Sequence, residues 1–450
     1  VAVSAAVVID LGEDWSVAED LPARRRMPRA RGPLAALLAV AVLLLVGASV
    51  PPRPPFIALV TIAGQGVVAS DVGGGGLFIA SQASGRRVAR YPLRGGEPTW
   101  DTTVAISPMS LIYLRGPEVL LVTSFDNEQN RSQFTVLDAA TGHPLWGGGG
   151  NLVLGQIGND AGPPSSGGLL VSDAPTGSTL QYVELRSGRT IWSRPLAALT
   201  QIVPVEAAGR PQDAGYLLAA DDGTLTMLAQ ETGVLLATRQ IDRLVPPSST
   251  GFDPEHNTVI NAVGDQLVVM RQDGALHATL SSYDLPGLTL RWSRTDAVSG
   301  YPYGCGPLLC LLGSQGELVA LDPFTGSDRW RAPGWQAAED MGGGRLLGYR
   351  PGNGERTGIL DAANGRLVRD IGDPWTPLNG WDSGQAFKLF TAPEAGNYRY
   401  TWFGVLDPYG TQVRPLTRLE GVGTQGCDLH GDLLVCRMLD ARLRVWRFQP

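Results

Sequence analysis

Four cysteines carry the clearest chemical potential in this chain, and they lie as two close pairs, Cys305 with Cys310 and Cys427 with Cys436. Paired thiols can form a disulfide, hold a metal or run a redox cycle. Neither pair has C-x-x-C spacing, and only His430 lies near one of them, so a metal site is disfavoured. The segments CGPLLC and CDLHGDLLVC put turn-like residues between the cysteines. Each pair can therefore staple a strand to its neighbour, worth roughly 2–3 kcal/mol by loop closure. Crossed pairing, such as Cys305 with Cys427, stays open on spacing alone.

The other titratable residues gather into no constellation. His143, His256, His277 and His430 are scattered, and Asp138, Asp322, Asp361 and Asp407 recur in similar short phrases where a turn accounts for them. GQGVVA at 64–69 has the glycine spacing of a dinucleotide loop, but GGGG at 73–76 follows where that site needs a long helix. DDG at 221–223 reads as a hairpin turn rather than a calcium loop, and NRS at 130–132 fits the glycosylation acceptor pattern. The sequence thus assigns no catalytic residue, no metal ligand and no cofactor.

An even count of cysteines reads as disulfides in an oxidising compartment. The stretch RRRMPRARGPLAALLAVAVLLLVGASVPPRPP shows how the chain would reach one. Pro33 to Val50 carries no charge, and at helical rise it spans roughly 27 Å, close to the hydrocarbon thickness of a bilayer. Arg24, Arg25, Arg26, Arg29 and Arg31 precede it and only Arg53 follows closely, which places the N-terminus in the cytoplasm. The pattern predicts a cytoplasmic tail over 1–31, a single transmembrane helix over 32–50, a Pro-rich spacer over 51–56 and an extracytoplasmic domain over 57–450. A cleaved signal peptide, with GAS as its cleavage region, is the alternative. The net charge is -7 and no basic stretch follows residue 31, which argues against a nucleic-acid partner. Lys388 is the only lysine in an Arg-rich chain, as expected of GC-rich bacterial codon usage.

The elements that would position these residues are legible from a repeated phrase. LDAATGHPLW ends at Trp146, and ALDPFTGSDRW repeats it up to Trp330. Related copies end at Trp100 and Trp192, and PGLTLRW, with one extra residue, ends at Trp292. Copies without tryptophan begin at Thr232, Asn364 and Tyr409. The turn glycines are then Gly96, Gly142, Gly188, Gly233, Gly287, Gly326, Gly365 and Gly410, spaced by 39 to 54 residues. Short apolar strands, polar turns and alternating strands precede each copy, and no sustained helical periodicity follows the apolar segment. Four short antiparallel strands per repeat define a propeller blade. In each phrase the glycine supports a tight hairpin, the aspartate binds the turn backbone, and the tryptophan covers the gap between blades.

The phrase resembles the PQQ-like (quinoprotein-type) β-propeller repeat, Ala-x-Asp-x-x-Thr-Gly-x-x-x-Trp. ALDPFTGSDRW fits every position, and VLDAATGHPLW all but the alanine. The resemblance covers about residues 57–448 and implies an all-β propeller of four-stranded antiparallel blades. Eight blades are the family's usual number and are expected here. A literal count gives nine, if FIALVTIAG at 56–64 completes the short unit at 427–448.

Some proteins with this repeat are PQQ-dependent dehydrogenases. Their adjacent-cysteine disulfide is missing here, and no aspartate stands out as a base. The propeller of the outer-membrane assembly lipoproteins is also similar and implies a scaffold, although no lipobox cysteine lies near the apolar segment. The expectation is a membrane-anchored, non-catalytic platform for envelope or secreted proteins. A transmembrane ligand sensor is the alternative, and a PQQ-dependent dehydrogenase comes third. The long Gly/Pro/Ser-rich connections at 147–168 and 242–257 are the expected partner surface.

Overall fold

The computed structural model describes residues 54–449, except 83–85, 127–130, 154–166, 175–176, 198–199, 206–213, 245–256, 273–276, 299, 352–356, 373, 379–387 and 407–411. The predicted tail and apolar helix fall outside the described residues. Among the described residues no helix is long and apolar enough to cross a membrane.

The described strands form nine four-stranded antiparallel sheets. Blade 1 spans residues 67–103, blade 2 111–149, blade 3 151–195 and blade 4 201–240. Blade 5 spans 258–297, blade 6 303–332, blade 7 337–370 and blade 8 376–420. In each of these the strands pair in chain order. Blade 9 differs. Its first three strands are Val422–His430, Leu433–Met438 and Leu443–Phe448, and its fourth is Phe56–Ile62 from the other end of the domain.

The blade number is therefore nine, not the eight expected. The unit at 427–448 is a full blade whose last strand lies elsewhere in the sequence. Without Phe56–Ile62, the strand Leu443–Phe448 would present an open row of backbone donors and acceptors. Pairing from Phe56 opposite Phe448 to Ile62 opposite Leu443 removes it, with one register shift between Ala58 and Val60.

The burial pattern follows from stacking blades face to face. The second strands are apolar on both sides, as in Gly76–Ser81 and Leu308–Leu312, because each face meets a neighbouring blade. The first strands of several successive blades approach one another at the centre of the ring. The fourth strands lie at the rim and are largely exposed, as in Leu235–Gln240. Among the described residues nine apolar clusters result, one at each seam. For example, Phe78, Leu120 and Leu137 join blades 1 and 2, and Val60, Leu77 and Val435 join blade 9 back to blade 1. The core is thus a closed circle of inter-blade layers.

Candidate functional site

At five seams the repeated phrase builds one latch. The tryptophan on the outer strand of one blade lies on the turn glycine of the next: Trp100 on Gly142, Trp146 on Gly188, Trp192 on Gly233, Trp292 on Gly326 and Trp330 on Gly365. Each indole Nε1 donates to the carbonyl three residues before that glycine. The acceptors are Ala139 (3.1 Å), Leu185 (2.7 Å), Gln230 (3.0 Å), Pro323 (2.9 Å) and Ala362 (2.9 Å). The glycine has two separate reasons to be there. Its φ is positive, between 64° and 72° at the five sites, where other residues are strained. A Cβ would also meet the indole, at 2.5–2.7 Å for Gly188, Gly233, Gly326 and Gly365. Side chains two residues after the tryptophan add a second tie at three seams: Thr102, Arg194 and Arg294 donate to the carbonyls of Gly142, Gly233 and Gly326.

Two glycines of the sequence series sit differently. Gly96 has φ 109°, but open space lies where its Cβ would point, because blade 9 offers no tryptophan on its outer strand. Gly287 is not the turn residue of its copy. Leu288, with φ 54°, takes that place and donates its N–H to the Asp284 carbonyl at 2.7 Å, as Gly142 does to Asp138. The residue facing it on blade 4 is Ala237, in the register position that tryptophan holds elsewhere. Gly410 and Asp407 lie outside the described residues.

The recurring aspartates are turn caps. Asp138 Oδ1 accepts from the backbone of Ala140 (3.1 Å) and Thr141 (2.9 Å) and from the Thr141 hydroxyl (2.9 Å), while Oδ2 faces Arg186. Asp322 accepts from the N–H groups of Phe324 (2.8 Å) and Thr325 (3.0 Å) and from Arg329 (2.5 Å). Burial alone would raise both carboxyls. These hydrogen bonds and arginines outweigh it and hold both below the usual carboxylate range. Such a group is a weak proton acceptor. Asp361 caps its turn through the Ala363 N–H at 2.8 Å.

The histidines stay apart, on blade 2 (His143), blade 5 (His277) and blade 9 (His430), and His256 is outside the described residues. His430 Nδ1 lies 3.6 Å from Asp71 Oδ1 across the seam between blades 9 and 1. Among the described residues no group of three or more His, Cys, Asp or Glu could hold a metal ion. The cysteines pair as Cys305–Cys310 and Cys427–Cys436. Each joins the first and second strands of one blade, in blade 6 and blade 9 respectively.

Two features carried no local sequence signal. The sole lysine, Lys388, is 3% exposed, and its Nζ contacts Glu339 and the Tyr349 hydroxyl (3.3 Å) of blade 7. Burial lowers its pKa, partly offset by Glu339, and burial followed by Glu339 raises that of Tyr349. The second is at the rim of blade 4, where Val234, Leu235 and Leu236 are 56%, 51% and 40% exposed. At the same rim positions blade 6 carries Ser327, Asp328 and Arg329. Most of the two expected partner loops falls outside the described residues.

A closed ring of four-stranded blades, locked by this Trp–Gly phrase, is a PQQ-like β-propeller. The family model described as "Outer membrane protein assembly factor BamB" matches residues 135–354, from blade 2 into blade 7. Among solved structures, BamB from Moraxella catarrhalis is 14% identical, covering 87% of this chain and 100% of its own, with a TM-score of 0.42. A eukaryotic initiation factor is 13% identical over 88% of this chain and 93% of its own, with a TM-score of 0.51. A quinohemoprotein alcohol dehydrogenase from Pseudomonas putida is 13% identical over 72% of this chain and 62% of its own, with a TM-score of 0.35. At these identities the likeness concerns the fold alone. No curated protein matches the sequence.

Proposed function

We propose that this chain is a non-catalytic, extracytoplasmic propeller, tethered by residues 32–50, that binds an envelope or secreted protein. The observation that carries the reading is the rim of blade 4. Three consecutive apolar residues, Val234, Leu235 and Leu236, face solvent there, while blade 6 carries the polar and charged Ser327, Asp328 and Arg329 at the same positions. Exposed apolar surface of this kind marks protein-binding faces. The match to a model described as an outer-membrane assembly factor supports the same class of partner. Two disulfides and the arginine-flanked apolar segment support the compartment. The dehydrogenase reading needs a carboxylate free to take a proton, and Asp138 and Asp322 are committed to their turns.

The test is in-cell photo-crosslinking from position 235, with position 328 on the rim of blade 6 as control. One envelope protein captured from 235 and absent from 328 supports the reading, and Leu235→Arg should abolish the capture. Identical capture patterns from both positions would remove the basis for a protein-binding rim on blade 4.

A further inference from the structure

Blade 9 is the one blade completed by a strand that no hairpin ties to it. In the other eight, the fourth strand follows the third in sequence. In blade 9, Phe56–Ile62 comes from the far end of the domain and reaches blade 1 through Ala63–Gly66. It is held by its ladder to Leu443–Phe448, by the Gln449 N–H donating to Pro55 at 2.8 Å, and by three buried side chains. Phe56 enters the core between blades 8 and 9, with ring centroids 5.2 Å from both Phe403 and Phe448. Val60 and Ile62 enter the core between blades 9 and 1. Neither of these seams has a Trp–Gly latch.

The rest of the blade is built to keep its shape. Cys427 and Cys436 sit opposite each other on its first two strands and are joined by a disulfide. The closing strand itself, FIALVTI, has no charge, no proline and no glycine. Edge strands usually carry such residues to prevent pairing with foreign strands. A stiff three-stranded receptor and an uncharged strand held only by pairing and burial are the two parts that strand addition requires.

We propose that blade 9 is an exchangeable binding site: release of Phe56–Ile62 opens the Leu443–Phe448 edge to an extended segment of a partner polypeptide with large apolar side chains at its first, fifth and seventh positions. The ladder to Leu443–Phe448 selects an extended backbone. The spacing of Phe56, Val60 and Ile62 selects the side chains, since the first lies in one seam and the other two in the next. This deepens the protein-binding reading, and it concerns a different face from the rim of blade 4.

The test uses the full chain and a fluorescein-labelled peptide copying residues 54–66. A control peptide carries aspartate at the positions of Val60 and Ile62. Slow, saturable, one-to-one incorporation of the first peptide and none of the second is expected. Phe56→Ala in the protein loosens its own strand and leaves the peptide intact, so incorporation should rise roughly ten-fold or more. Thr61→Cys with Arg444→Cys, which lie opposite each other, should lock the strand and block incorporation. Equal labelling of locked and unlocked protein would place the peptide elsewhere and overturn the proposal. So would no incorporation into the Phe56→Ala protein. Failure here leaves the crosslinking result at position 235 untouched, so the two readings fall separately.

Discussion

Five seams of the ring are closed by a tryptophan lying on a glycine, and the seam between blades 4 and 5 is closed by Ala237 and Leu288. The backbone of the turn is the same in both cases. Leu288 donates to Asp284 at 2.7 Å and Asp284 to Thr289 at 2.8 Å, as Gly326 donates to Asp322 and Asp322 to Ser327. Even the second tie survives, since Arg239 donates to the Leu288 carbonyl as Arg294 does to Gly326. What changed is which side of the seam supplies the bulk. The unit under constraint is therefore the seam volume, shared by two blades, and not the tryptophan or the glycine alone. Leucine at positive φ costs on the order of 1–2 kcal/mol, and here it is 1% exposed, so its burial offsets that strain.

Emptying a latched seam should have the largest effect. Trp330→Ala should cost about 3–5 kcal/mol, read as a fall in the denaturant midpoint, because the ring is buried and its N–H satisfies Ala362. A loss below about 1 kcal/mol would mean that the latch closes nothing. Gly365→Ala should follow at about 1–3 kcal/mol, since its Cβ would meet the same indole at 2.5 Å from a backbone with φ 68°. Third comes the exchange of one device for the other. Ala237→Trp alone should cost about 1–3 kcal/mol by overpacking against Leu288. Leu288→Gly alone should cost at least as much through its cavity. The double variant recreates the pattern of the other five seams and should recover most of the loss, a coupling measured by the double-mutant cycle. Strict additivity would show that the seam is not a shared volume.

How much of this was legible in the sequence follows from the reach of each interaction. The phrase around Trp146 and Trp330 is local, so the fold class and the turn role of Asp138 and Asp322 could be read directly. Blade 9 was harder, because half of its evidence lies at Phe56–Ile62, far in sequence from Leu443–Phe448. A literal count of units gives nine, whereas the family's usual number is eight. Gly287 has the residue type of the series but not its position. Counting four back from Trp292, as in the other copies, lands on Leu288. The rim patch at Val234–Leu236 could not be read at all, since apolar residues on an outer strand look like core until burial is known. Lys388 was visible only as a composition oddity, because its partner Glu339 sits on another blade.

That lysine belongs to the seam between blades 7 and 8, where Arg369 of blade 7 stands in the tryptophan register. Lys388 of blade 8 and Glu339 and Tyr349 of blade 7 meet across this seam instead. An ion pair is a pH-sensitive closure in a way that an indole is not. Burial depresses Lys388 below the ordinary 10.5, so the unfolded chain binds more protons between the depressed value and 10.5. Stability from this group is therefore present at high pH and is lost as pH falls through that window. Tyr349 works in the opposite sense, since its raised pKa removes stability as pH climbs through 10.0. The net expectation is a shallow rise in the denaturant midpoint as pH approaches 10, then a fall. Lys388→Met should remove the rise and leave the fall, and Trp330→Ala should keep both. An unchanged slope in Lys388→Met would mean that attraction to Glu339 fully cancels the cost of burying the lysine. In either case Leu347, Phe390 and the other apolar side chains between blades 7 and 8 supply the rest of the closure, and they carry no pH dependence.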